Sequence, residues 1–188
     1  DVLGYDEEPF DGEGGYDIYI MSYSAGVYGY NYIDPYCCTV SNITNNCIDA
    51  DIDNKNDCIN SGLFWVPGAS YLQIDNDYVG YNSQFNLTPL QIMRISVAHE
   101  YFHAIQWGYE ANLGNNKYFY EMTSMWFEDI LIPDGNDYLD PDWADALLNN
   151  PTADFDNTGD GYELALFGHY LSSFVDKNGQ TDEKQSSI

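Results

Sequence analysis

The rhythm of polar and apolar positions changes midway along the chain. Residues 16–23, YDIYIMSY, alternate and are rich in Tyr and Ile, the period-two pattern of a strand. Residues 69–78, ASYLQIDNDY, repeat that pattern and run into a turn. Between them, residues 24–66 read mostly as loop, and the first fifteen residues as an acidic, glycine-rich extended segment. From residue 88 the rhythm is helical. Thr88 suits an N-cap, Pro89 the first helical position, and Gln91 completes a Thr-x-x-Gln capping box. Over 88–110 the side chains Leu90, Ile92, Met93, Ile95, Val97, Ala98, Phe102 and Ile105 cover almost the whole circumference, which predicts a helix buried on all sides.

The segment ANLGNNK, 111–117, breaks this helix. Further helices are predicted over 118–131, stopped by Pro133, and over 140–150, with Asp140 as cap and Pro141 in first position. A last one is predicted over 162–175. Strands first and helices after predict an α+β fold. At 188 residues the chain suits one domain, with a strand-rich part over 16–110 and a helical part over 111–188. The polar ends read as cut from a longer mature protein.

Charge narrows the partners. The chain carries 31 acidic residues against 5 basic ones, a net charge of −26. Such a surface repels phosphate backbones and anionic lipid, so nucleic acid and membrane surfaces are excluded as expected partners. It favours cations. No apolar run reaches the length of a membrane span, so no membrane insertion is expected. The cysteines Cys37, Cys38, Cys47 and Cys58 crowd one polar loop without Cys-x-x-Cys spacing, which predicts two disulfides and not a zinc knuckle. Cys37 and Cys38 are each expected to pair with a downstream cysteine, because a bridge between adjacent residues is strained. Disulfides place the protein outside the reducing cytosol, secreted or at the cell surface. Asn42 and Asn86 stand in N-glycosylation patterns.

The chemistry concentrates in VAHEYFHAIQWGY, which holds two of the chain's three histidines. His99 and His103 are four apart, on one face of a helix and one turn from each other, so both imidazoles can reach one cation. Glu100 is rotated by about 100° from His99, where it can take a proton from an attacking water. Two imidazoles and a carboxylate in an apolar helix would be costly to bury without a metal or partner. The third ligand is not in this stretch. A metzincin would have Gly and His where this chain has Gln106 and Tyr109, which excludes that class. The following helix offers Glu121 and Glu128, seven residues apart and so on nearly one face.

HEYFHAIQ followed by YEMTSMWFED resembles the gluzincin pattern, an HExxH helix followed by Glu-x-x-Ser in a second helix. With YDIYI, IDNDY, NDYL and GHYL, the matches resemble a family of secreted bacterial metalloproteases over residues 16 to 175. The resemblance implies a zincin-like fold, a small mixed sheet packed on the active-site helix and a following glutamate helix. It implies Zn²⁺ held by His99, His103 and Glu121, Glu100 as general base, and a peptide or protein substrate. The chain departs from thermolysin-type enzymes at Met125, where they have an aspartate that orients a ligand histidine. Glu128, Asp129, Asp75 and Asp77 are the candidates to replace it. For the donor that stabilises the oxyanion, the late helix offers Tyr162 and His169; the resemblance favours Tyr162.

Two aspartate-rich loops, 49–57 and 154–161, resemble calcium loops without matching the EF-hand. The second is the better Ca²⁺ candidate, through Asp154, Asp156 and Asp160. The expected function is a secreted zinc-dependent peptidase. The alternative is an inactive zincin scaffold serving as a calcium-stabilised extracellular or cell-surface binding module.

Overall fold

A computed structural model describes residue 5 and residues 15–24, 27–33, 37–39, 55–66, 70–78, 87–109, 116–155 and 160–174. The chain divides into two compact units. One comprises residues 1–81 and 89–114; the other comprises residues 82–88 and 115–188.

The first unit is built on a three-stranded mixed sheet of β1 (Ile18–Met21), β2 (Gly29–Ile33) and β5 (Ser70–Asp75), in the order β1-β5-β2. Central β5 runs parallel to β1, with Ile18 opposite Leu72, and antiparallel to β2, with Gly29 opposite Ile74. Alternation along β5 buries Leu72 and Ile74, the side on which α2 (Pro89–Trp107) packs against β2 and β5. The helix buries Ile92, Ile95, Ala98, Phe102 and Ile105. Its end is tied to the sheet by Trp107 Nε1, which donates to Asn31 Oδ1 at 2.5 Å. Burial on all sides, expected from the sequence, holds from Ile95 to Trp107, where every residue is buried or half-buried; at the N-terminal end Leu90 is 61% exposed and Arg94 is also exposed.

The loop expected over 24–66 contains regular structure. Besides β2, it forms the antiparallel pair β3 (Cys37–Thr39) and β4 (Phe64–Val66) and the six-residue α1 (Lys55–Asn60). Buried Cys38 is bonded to buried Cys58, so a strand and a short helix are covalently joined. This agrees with the expectation that Cys38 pairs downstream; Cys47 lies outside the described residues.

The second unit is helical. It holds α3 (Lys117–Leu131), a 3₁₀ turn at 137–139, α4 (Pro141–Asn149), a second 3₁₀ turn at 162–164 and α5 (Ala165–Phe174). The helix expected over 162–175 thus opens with a tighter turn that contains Tyr162. Helix α3 buries Tyr120, Met122, Ser124, Met125, Phe127 and Glu128. It packs against α5, where Gly168 comes so close that a Cβ would lie 3.2 Å from Trp126 Cβ. Trp126 Nε1 donates to Ser172 Oγ at 2.8 Å across the same contact. A small mixed sheet with five helices is an α+β arrangement. No described helix is long and apolar enough to cross a membrane.

Candidate metal centre

Helix α2 presents the histidines as its period requires. The ring centroids of His99 and His103 are 4.9 Å apart and their planes meet at 82°. His99 is buried, while His103 and Glu100 are half-buried. Nδ1–H of His103 donates to Oε1 of Gln106 at 2.7 Å. That bond puts the ring proton on Nδ1 and the lone pair on Nε2, the tautomer a metal ligand needs. The sequence had marked Gln106 only as the residue that breaks the metzincin pattern. Its signal was its spacing, three residues after His103 and so on the same helix face.

Glu100 lies against β2. A Cβ at Gly29 would come within 3.1 Å of Glu100 Cγ. Nearby, burial and the neighbouring Tyr32 raise the Tyr23 phenol above its ordinary value, and Tyr30 and Glu100 add to the shift. Tyr23 Oη donates to Gln73 Oε1 at 2.5 Å.

Asp75, a candidate to orient a ligand histidine, has another task. Its carboxylate accepts the backbone N–H of Tyr23 at 3.0 Å and of Tyr78 at 2.7 Å, closing the turn after β5. The Tyr23 N–H is the chief reason its carboxyl is held below the usual range. Asp77 is exposed.

In the second unit, Glu121 is half-buried, one turn after Lys117 on α3. Met125, four residues later, is core. Glu128 is 2% exposed. Next to it, burial and then the charge of Asp137 push the Asp129 carboxyl up to about 6. Asp129 Oδ2 lies 3.7 Å from Nε2 of His169, whose ring stacks on Tyr138 with centroids 4.3 Å apart. Burial lowers the His169 pKa and favours the neutral ring. Tyr162 is half-buried with its ring 5.5 Å from that of Trp143. Of the calcium candidates, Asp154 is exposed, Asp160 forms an ion pair with Lys117, and Asp156 lies outside the described residues.

Of the three residues that the resemblance implies as ligands, His99 and His103 stand in the first unit and Glu121 in the second. Two imidazoles and one carboxylate are the donor set of catalytic zinc sites that keep a position open. Compared with known proteins, the chain matches no family model, no curated protein and no solved structure.

Proposed function

We propose that this protein is a secreted, zinc-dependent peptidase with a zincin-like fold, its Zn²⁺ held by His99, His103 and Glu121. The observation that carries the reading is the pair of converging imidazoles on α2, with Glu100 between them and Gln106 setting the His103 tautomer. The donor set agrees with zinc, and the Cys38–Cys58 bond suits an oxidising compartment. When bound, zinc supplies Lewis-acid polarisation of a carbonyl and of water at neutral pH. Glu100 then takes the proton of the attacking water and passes it to the leaving amine. The oxyanion donor in this reading is Tyr162, which the resemblance favours; the His169 ring stacks on Tyr138.

The inactive, calcium-stabilised scaffold draws less support, since the Asp160 carboxylate is already paired with the Lys117 ammonium. Turnover separates the two readings. The purified protein is expected to carry about one zinc per chain and to cleave casein or a peptide library until a zinc chelator is added. Glu100→Gln is expected to keep the metal and lose a factor on the order of 10²–10⁴ in rate. A metal-free protein, or an active Glu100→Gln variant, overturns the peptidase reading.

A further inference from the structure

Gly29 stands where a strand would ordinarily take a branched or aromatic residue, and glycine there weakens the strand. Its backbone is not among the described glycines with positive φ, so conformation does not demand it. Space does. A Cβ at this position would lie 3.1 Å from the carbonyl oxygen of Gln73, 3.1 Å from Glu100 Cγ and 3.5 Å from Glu100 Oε1. The Gln73 carbonyl belongs to central β5, held in the ladder on both sides. Glu100 has rotatable bonds and yields first.

We propose that Gly29 is a positioning residue for Glu100: the bare β2 backbone at this point lets the glutamate side chain lie against the strand and fixes where its carboxylate stands beside the two imidazoles. The proposal rests on the reading of Glu100 as the general base. It explains why a strand element contacting α2 keeps glycine at a cost in strand stability.

The experiment is a pair of double-mutant cycles on the full chain. In zinc-free protein, melting temperatures are measured for Gly29→Ala, Glu100→Ala and the double variant. The loss caused by Gly29→Ala is expected to shrink by at least about half when Glu100 is already Ala, because the crowded partner is gone. Should Gly29→Ala fail to fold, recovery by Glu100→Ala supports the contact and no recovery overturns it.

In zinc-loaded protein with a peptide that the wild type cleaves, Gly29→Ala is expected to lower kcat by about 10–100-fold, with KM and zinc content unchanged. Glu100→Asp, whose shorter side chain retreats from the new methyl, is expected to cost less in the Gly29→Ala background than in the wild type. Full kcat in Gly29→Ala, or additive cycles in a protein that cleaves peptides, overturns the role of Gly29 alone. A wild type that neither binds zinc nor cleaves peptides overturns the peptidase reading and this role with it, while the zinc-free cycle still reports the contact.

Discussion

Gln106 holds the Nδ1–H of His103 in a 2.7 Å hydrogen bond, three residues along the same helix. Both partners lie on α2, so the ring orientation is set by the helix itself. A ligand imidazole whose second nitrogen is fixed in this way loses less freedom on metal binding and is the better base.

Gln106→Ala is therefore expected to weaken zinc binding by about 10–100-fold, read by competition with a chromophoric chelator. Gln106→Glu keeps an acceptor and is expected to bind zinc at least as tightly as the wild type. An unchanged dissociation constant in Gln106→Ala would show that another group orients the ring.

The long helices were legible because their apolar runs are punctuated by prolines at 89, 133 and 141, and the structure places α2, α3 and α4 where those signals stand. Residues 24–66 were not. Strand β2 exists by pairing with β5, some 40 residues on, and β3 and α1 are joined through Cys38 and Cys58; neither relation leaves a local pattern. Likewise the His-Glu-x-x-His spacing named the imidazoles and the carboxylate in advance, whereas Gly29 gains meaning only once a helix lies across its strand. The task of Asp75 was hidden for a related reason. An aspartate at the end of an apolar strand looks available, but both its oxygens accept backbone N–H groups, of Tyr23 and of Tyr78 in the turn that follows.

The half-buried Asp129 gives the second unit a pH dependence of definite sign. In the unfolded chain its carboxyl titrates near the ordinary value of about 3.9, while in the fold burial and Asp137 push it up to about 6. Between those values the folded form holds a proton that the unfolded form has released. Its contribution to stability is thus complete below about pH 4 and is lost as pH rises through about 6. His169 opposes it. Its folded pKa is depressed, so its contribution is present above the unfolded value and is lost as pH falls through the folded one. Asp129→Asn keeps the shape and removes the charge. It is expected to stabilise by on the order of 1 kcal/mol at pH 8, a few degrees in Tm, and to change little at pH 4. Thermal melts across that range test this; an equal effect at both ends would mean that Asp129 does not titrate as its surroundings require.

Gly161 gives the most local of the predictions. Its φ is +99°, in the region that L side chains rarely adopt, and it precedes the 3₁₀ turn that carries Tyr162. The space is closed as well: a Cβ there would stand 2.3 Å from the carbonyl oxygen of Tyr118 and 2.5 Å from its Cα. Backbone atoms at the start of α3 cannot swing aside as a side chain can. Gly161→Ala therefore has to unwind the turn or push α3 away, and it is expected to cost about 2 kcal/mol or more. Because the strain and the clash both act within the second unit, the Cys38–Cys58 bond and the histidine pair of the first unit should be untouched. Denaturant unfolding of Gly161→Ala is the check. A variant as stable as the wild type would mean that residues 161–164 do not hold the conformation described.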